Sequence, residues 1–186
     1  MLTKTEYQTA QRRAAAMIRR AGIHLKDSET ETIEVVDFGL GNLAAEGVQV
    51  LTFFATERLS AKVLVLFPNQ TEPEHWHPPV GDDPGKEETI RAVWGTLRFY
   101  VPGPDTFREG FFPEGKSAVY TCRHEVVLRP GDQLTLPPGT PHWFQTGDEG
   151  AVMYSFSTCV RDGLDRFTDP AIVRLTQIQH DLAQPA

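Results

Sequence analysis

Four side chains of this sequence have the types and spacing of a metal-binding site: His75, His77, Glu88 and His142. His75 and His77 are two residues apart, so in a strand both project from the same face. Glu88 follows after a short segment, and His142 comes from a distant part of the chain behind a turn rich in proline and glycine. Imidazole and carboxylate groups coordinate divalent metals. The pattern therefore predicts one metal pocket, provided that the fold brings His142 to the others.

The donor set indicates the class of metal. Three neutral imidazoles and one carboxylate, without a thiolate, suit Mn²⁺, with Co²⁺, Fe²⁺, Ni²⁺ or Zn²⁺ as alternatives. A structural zinc site would be expected to use cysteine and to close at four ligands. An octahedral ion on four protein ligands keeps two positions open for substrate oxygens, which is typical of a catalytic metal. The other three histidines, His24, His124 and His180, are interpreted as surface or core residues.

The elements that must position these residues are mostly strands. Apolar residues at helical spacing predict an N-terminal helix over 5–21, which Gly22 ends. From about residue 33 the sequence changes to short β-rich runs separated by glycine and proline, which favours an all-β barrel or sandwich over 33–160. The strand candidates are 33–38, 48–56, 60–67, 89–94, 96–101, 118–128, 133–136, 142–146 and 151–157. A short C-terminal helix is expected over 169–181, and 1–186 form a single domain.

Bulk composition excludes several classes of protein. With 25 acidic and 18 basic residues the formal net charge is −7, which argues against nucleic-acid or anionic-membrane partners. No apolar run approaches the ~20 residues that span a bilayer, and the N-terminus has no signal pattern. Cys122 and Cys159 lack a metal-binding spacing, and free thiols in a reducing cytoplasm are the expectation for them.

The two halves of the metal pattern resemble the two motifs of the cupin family. In the first half, six residues separate Glu88 from Gly95. The second half reads Gly131, five residues, Pro137, one residue, Gly139, two residues and His142. The resemblance covers residues 60–157 and implies a single cupin barrel, a jelly roll whose closure assembles the ligands.

The sequence departs from the cupin motifs in two places. Ten residues, 78–87, separate His77 from Glu88, which is more than the family usually has, and Thr146 stands where an Asn is usual. The insertion leaves Glu87 as an alternative ligand. The six-residue step to Gly95 favours Glu88, and Glu87 is then expected to point outward.

Segments around the ligands are similar to the D-lyxose isomerase family of cupins. The similar segments are 36–41, 61–68, 84–89, 94–95, 100–103, 157–158, 161–162 and 165–167. The resemblance runs over about residues 30–170. It implies a manganese-dependent aldose–ketose isomerase acting on D-lyxose and D-xylulose, with D-mannose and D-fructose as a further pair.

Such a reaction moves a proton between C2 and C1 of an open-chain sugar, and a hydride shift is the alternative that the residues leave open. The O1 and O2 oxygens must be held together, the enediolate must be stabilised, and an acid/base must carry the proton. A metal with two free positions can hold both oxygens and offset the developing charge, which is worth several kcal/mol. A positioned acid/base typically adds ~10²–10⁴-fold in rate.

Candidates for the acid/base role are two lysines and two aspartates. Lys62 has the strand parity of two leucines and is expected to point inward, and the family resemblance also carries a lysine there. Lys86 shares a face with Glu88 in a regular strand, although an exposed loop lysine is the alternative. A familiar branch of the family has a glutamate at the position of Ser155, so Asp162 and Asp165 are the nearest substitutes, or else they cap the loop.

Two rival functions remain open on the sequence alone. An Fe²⁺-dependent dioxygenase would use the same ligands, and a non-catalytic sugar-binding cupin would bind without turnover. The partner expected in either isomerase or binding protein is a small monosaccharide. Small cupins often pair through outer strands, so a homodimer is expected.

Overall fold

The computed structural model describes residues 1–179, and most of them lie in strands. In chain order the elements are β1 (Leu2–Thr3), α1 (Lys4–Arg20), α2 (Asp27–Thr30), β2 (Glu34–Val36), β3 (Val48–Ala55), β4 (Leu59–Leu66), β5 (Thr71–Trp76), β6 (Glu88–Val101), β7 (His124–Leu128), β8 (Gln133–Leu136), β9 (His142–Thr158), β10 (Arg166–Phe167) and β11 (Ile178–Gln179). Short 3₁₀ turns occupy Ser117–Val119 and Asp162–Leu164. The expected all-β architecture is confirmed.

The long strands β6 and β9 hold the barrel together. They pair antiparallel along their lengths, from Glu88 opposite Ser157 to Tyr100 opposite Trp143. The first part of β9 also pairs with β5, and its last part pairs with β4. Strands β2, β3 and β4 extend one side, whereas β7 and β8 pair with the two ends of β6. The curled sheet therefore closes around an interior that β4, β5, β6 and β9 all face.

Two strands are longer than the sequence indicated. The runs 89–94 and 96–101 form the single strand β6, and 142–146 and 151–157 form β9. Gly95 has a φ of 76° and lies in a register shift rather than in a turn. A Cβ there would come within 2.1 Å of the Gly150 carbonyl oxygen, so only glycine lets the two strands approach so closely.

Alternation along β4 separates two apolar cores. Leu64 and Leu66 belong to the core inside the barrel, whereas Val63 and Val65 belong to a second core on the outside. Lys62 has the parity of the leucines and is only 6% exposed, as the sequence predicted. Burying a lysine this far is costly without a charged partner, so the position of Lys62 calls for one inside the barrel.

Helix α1 covers the outer core, and its start and end follow the predicted signals. Thr3 and Glu6 form a capping box, with Thr3 N–H donating to Glu6 Oε2 at 2.8 Å. Gly22, at a φ of 82°, follows the last turn. Ala14, Ala15 and Ile18 of this helix are fully buried against the sheet. The predicted helix over 5–21 is thus confirmed to within one residue at each end.

The expected helix over 169–181 is wrong for residues 169–179, and 180–181 lie outside the described residues. Residues 160–177, here called the C-terminal strap, cross the mouth of the barrel instead. Val173 N–H donates to the Phe38 carbonyl at 3.0 Å, and Thr176 Oγ1 donates to the Val35 carbonyl at 2.9 Å. These bonds along the free edge of β2 replace those of a helix. Tertiary pairing has therefore overridden the apolar spacing on which the helix prediction depended.

None of the helices formed by residues 1–179 is long and apolar enough to cross a bilayer.

Candidate metal centre and active site

The three predicted histidine ligands meet inside the barrel. His75 lies on β5 and pairs in register with His142, the first residue of β9, and His77 follows just after β5. One potential ligand atom from each ring lies within 4.8 Å of the other two. All three side chains are buried, at 5% exposure or less. Strand pairing therefore produces the convergence that the sequence required.

Each imidazole is oriented through its Nδ1 atom. His75 Nδ1 lies 2.8 Å from the Pro73 carbonyl oxygen, and His142 Nδ1 lies 2.9 Å from that of Thr140. His77 Nδ1 lies 2.7 Å from Asp165 Oδ1. An Nδ1–H that donates to oxygen fixes the tautomer and leaves the Nε2 lone pair for a metal. The donor chemistry of the cluster therefore fits a divalent ion.

Glu88 extends the cluster on the side of His77. Its Oε2 lies 3.1 Å from His77 Nε2, and its Oε1 accepts a hydrogen bond from Ser155 Oγ. Lys86 Nζ contacts the same Oε2 at 3.1 Å. Glu87, by contrast, is exposed. The structure thus confirms the predicted directions of the two glutamates, because only Glu88 faces the histidines.

The protonation states differ within the histidine cluster. Burial and the charge of His77 lower the pKa of His142 to about 4, and burial also holds the pKa of His75 well below its usual value. The pKa of His77 is raised, because its hydrogen bonds to Asp165 and Glu88 outweigh the effect of burial. Although burial opposes it, Lys86 and His77 keep the pKa of Glu88 well below its usual range. Glu88 is therefore a carboxylate, which suits a metal ligand.

Two buried lysines lie beside the cluster, as the sequence predicted for Lys62. Lys62 Nζ forms an ion pair with Asp162 Oδ2 at 2.5 Å, and Lys86 Nζ lies 3.8 Å from Asp162 Oδ1. Lys86 is not an exposed loop lysine, since only 10% of its side chain is exposed. Although burial opposes it, Glu88 and Asp162 raise the pKa of Lys86. Lys86 therefore remains an ammonium at neutral pH.

The C-terminal strap brings both predicted aspartates to the pocket. Asp162 lies between the lysines, and Asp165 faces His77. Burial opposes ionisation of Asp162, but Lys86 and Lys62 lower its pKa below the usual value. The strap also contributes Arg174, whose Nη1 lies 2.8 Å from Glu34 Oε1 and whose Nη2 lies 4.0 Å from Asp162 Oδ2. Sequence reasoning missed Arg174 because it placed this segment in an outer helix.

A second functional candidate that the sequence did not reveal is Glu72 on β5. It lines the same cavity as His75, Lys86 and Glu88. Burial, reinforced by the charge of Glu88, raises the pKa of Glu72 to about 8. Strand alternation predicts that residues 72 and 75 face opposite ways. A register shift between Glu72 and His75 turns both side chains inward.

The cavity has a polar end and an apolar floor. The floor is formed by side chains of four barrel strands, namely Val48, Val50, Leu64, Ile90 and Phe144. Its charged lining consists of Lys62, Lys86, Arg174, Glu72, Glu88, Asp162 and Asp165 together with His75. Acids and bases thus surround a space next to a histidine cluster that could hold a metal ion, which is an arrangement suited to proton transfer on a small polar molecule.

Comparison with known proteins assigns the family. The chain is 53% identical to the D-lyxose ketol-isomerase of Cohnella laeviribosi over 178 residues, which are 95% of this chain and 98% of that protein. It is 45% identical over 180 residues to the D-lyxose/D-mannose isomerase of Thermosediminibacter oceani, covering 96% of this chain and 99% of that protein. No protein-family model matches the chain.

Solved structures with the same fold are L-ribose isomerases. The ligand-free enzyme of Cellulomonas parahominis has a TM-score of 0.80 and 17% identity, covering 96% of this chain and 98% of that one. The enzyme of Acinetobacter sp. DL28 in complex with L-ribose gives the same values. At this identity the likeness establishes the fold, a cupin barrel. With the near full-length relatives, it follows that the chain belongs to the D-lyxose ketol-isomerase family and is a sugar isomerase.

Proposed function

We propose that this protein is a metal-dependent aldose–ketose isomerase that interconverts D-lyxose and D-xylulose, with D-mannose and D-fructose as a second pair. The observation that carries the proposal is the cluster of the three histidines next to a cavity that His75, Lys62, Lys86 and Glu88 line together. The names of the relatives, D-lyxose ketol-isomerase and D-lyxose/D-mannose isomerase, support the substrate pairs.

The metal would be held by His75, His77, His142 and Glu88. Mn²⁺ is the proposed ion, and Co²⁺, Fe²⁺, Ni²⁺ and Zn²⁺ are chemically compatible with the same donors. When bound, the ion supplies a Lewis acid that draws electron density from the sugar oxygens O1 and O2. Asp165 fixes the ring of His77 through Nδ1, so its proposed role is to orient a ligand rather than to touch the sugar.

Lys62 and Lys86 are the proposed donors to the sugar oxygens. Both ammonium groups are buried, and both lie beside Asp162, which keeps the two positive charges close together. An ammonium at this place stabilises negative charge that develops on O1 or O2 in the transition state, where the low dielectric strengthens the interaction. Asp162 is therefore proposed to position the lysines.

The charge balance of the pocket supports a free sugar rather than a sugar phosphate. Each cationic side chain that lines the cavity already has an acidic partner: Lys62 has Asp162, Lys86 has Glu88 and Arg174 has Glu34. A phosphate dianion would have to compete with these carboxylates for the same donors. Hydroxyl groups, which both donate and accept, fit such mixed surroundings.

The test is a product analysis with defined metal content. We expect the Mn²⁺-loaded protein to convert D-lyxose to D-xylulose, to convert D-mannose to D-fructose more slowly, and to do so equally well without O₂. Chelator-treated protein is the control and should be inactive until Mn²⁺ is restored. Activity that requires O₂ would support the dioxygenase instead, and stoichiometric binding without product would support a sugar-binding protein.

A homodimer is part of the proposal. Phe53, Phe54 and Phe156 are exposed by 42%, 47% and 45% on the outer face of β3, β4 and β9, where Leu59 is 50% exposed. Contiguous exposed apolar surface of this kind marks contacts with other proteins. We expect a dimer mass in light scattering and a monomer for a Phe54→Ser/Phe156→Ser variant.

A reducing cytoplasm is the proposed location. Cys122 and Cys159 are both free thiols, which agrees with it.

A further inference from the structure

Glu72 is a carboxyl group of the cavity with one oxygen that lacks a hydrogen-bond partner among residues 1–179. Its side chain is 13% exposed, and its Oε1 lies 3.9 Å from His75 Nε2. Its Oε2 is buried and has no hydrogen-bond partner among residues 1–179. A buried oxygen without a partner is unfavourable unless a ligand or a proton completes it. Glu72 therefore has an unfilled interaction that points to a bound molecule.

The neighbouring glutamate of the same strand shows the contrast. Glu74 faces away from the cavity, where Thr121 Oγ1 and Thr168 Oγ1 both donate to its Oε1 at 2.7 Å. Its Oε2 accepts from Cys122 N–H at 2.7 Å. Glu74 is thus fully bonded and structural. Glu72 therefore lines the cavity beside His75, beyond the register shift between residues 72 and 75, whereas Glu74 does not.

The other carboxylates of the cavity are already occupied. Glu88 is bonded to His77, Lys86 and Ser155. Asp162 pairs with Lys62, and Asp165 with His77. None of these groups can approach a sugar carbon without giving up a charged partner. Ser155, which pairs in register with Lys62, has no basic group of its own.

We propose that Glu72 is the catalytic residue that carries the proton between C2 and C1 of the sugar, an assignment that rests on the proposed function. In its ionised form Glu72 takes the proton from C2, the C2–H electron pair forms the C1=C2 bond, and the C1=O π pair moves onto O1. The hydroxyl proton then passes from O2 to O1. The O2 pair re-forms a carbonyl at C2, while the C1=C2 pair takes the proton back from Glu72 onto C1. The carboxylate is regenerated, and the aldose has become a ketose without an external oxidant or reductant.

The test compares Glu72→Gln with Glu87→Gln in Mn²⁺-loaded protein. The first change keeps the shape of the side chain and removes the base, whereas the second removes one carboxylate from the exposed surface close to Glu88. Turnover of D-lyxose, bound Mn²⁺ per chain, thermal melting and calorimetric binding of xylitol, an unreactive polyol, are measured for both variants. Glu72→Asp adds a carboxylate that is one methylene shorter.

We expect Glu72→Gln to keep the fold, the metal content and xylitol binding while kcat falls by about 10²–10⁴-fold, the contribution of a positioned base. Glu72→Asp should regain part of this loss, and Glu87→Gln should match wild type. Wild-type kcat in Glu72→Gln, or loss of bound Mn²⁺ in that variant, would overturn the assignment. Wild-type protein that converts no sugar would overturn the proposed function itself, and the assignment with it.

Discussion

The two sides of the active site are held by different kinds of structure. The proposed metal-binding side lies on or next to β5, β6 and β9, which pair with neighbours inside the barrel. The opposite side, with Asp162, Asp165 and Arg174, lies on the C-terminal strap. The strap is held by the short strand β10, by edge hydrogen bonds to β2 and by the ion pairs of its own charged residues. One side is therefore fixed by pairing of long strands, and the other by a two-residue strand, edge hydrogen bonds and side-chain contacts.

The two kinds of structure suit different functions. Metal ligands need positions fixed to a fraction of an ångström, and residues on paired strands provide that precision. The strap acts through the strand-borne groups, since Asp165 holds His77 and Asp162 holds Lys62. Changes on the strands should therefore abolish metal binding or turnover, whereas changes on the strap should weaken them.

The largest effect is expected from removing a strand-borne ligand. His142→Ala should lose bound Mn²⁺ and reduce kcat/KM by at least about 10³-fold, because a Lewis-acid contribution of several kcal/mol is lost. Metal analysis and a D-lyxose assay measure both. His24→Ala, at an exposed position, is the control. A His142→Ala variant with full metal content would contradict the ligand set.

The second largest effect is expected from changing a strand residue that is not a proposed metal ligand. Lys62→Met should keep the metal and lower kcat by about 10²–10³-fold, since a charge-stabilising donor is removed from a buried site. Lys4→Met, at an exposed lysine, should be unchanged. Steady-state kinetics with metal analysis separate the two quantities. Turnover of Lys62→Met within threefold of wild type would exclude Lys62 from the chemistry.

The strap residue behind His77 should have a smaller effect. Asp165→Asn keeps a hydrogen-bond acceptor but removes the charge, so metal affinity is expected to fall by about 10–100-fold with activity restored at high Mn²⁺. Competition with a metal chelator measures the affinity. Asp82→Asn, at an exposed aspartate, is the control. If Asp165→Asn binds Mn²⁺ as tightly as wild type, the strap does not support the metal site.

The smallest expected effect is a difference in pKa between His142 and His77, measured by titration of the metal-free protein. His142 should stay neutral down to about pH 4, whereas His77 should stay charged above its usual range because of Asp165. The two histidines contribute to the free energy of unfolding with opposite dependence on pH. The contribution of His142 is complete above pH 6.5 and lost as the pH falls toward 4; that of His77 is complete below pH 6.5 and lost as the pH rises through its raised pKa.

NMR titration of the ring protons measures these pKa values directly, and the Asp165→Asn variant tests their cause. In that variant the pKa of His77 should fall while that of His142 changes little. Equal pKa values for the two rings in wild type would remove the predicted difference between a ring that faces a carbonyl and a ring that faces the strap.

Much of the candidate metal centre could be predicted from the sequence because strand periodicity is local. The two-residue step from His75 to His77 puts both rings on one face, and the same rule turns Lys62 inward and Glu87 outward. The motif spacing around Gly95 selected Glu88. These predictions need no knowledge of distant contacts, apart from the barrel closure that brings His142 to the cluster.

The sequence by itself determined the candidate ligand types, the barrel class and the inward parity of the strands, because each follows from spacing along one element. Tertiary structure alone decided the rest. The register shift in β5 places the Glu72 side chain in the cavity, which strict alternation would not predict. The segment expected to be a helix instead bonds along the edge of β2 as the strap, and the strap brings Arg174 to the pocket. Both outcomes depend on which strand edge pairs with which segment, and such long-range pairing is not encoded in local periodicity.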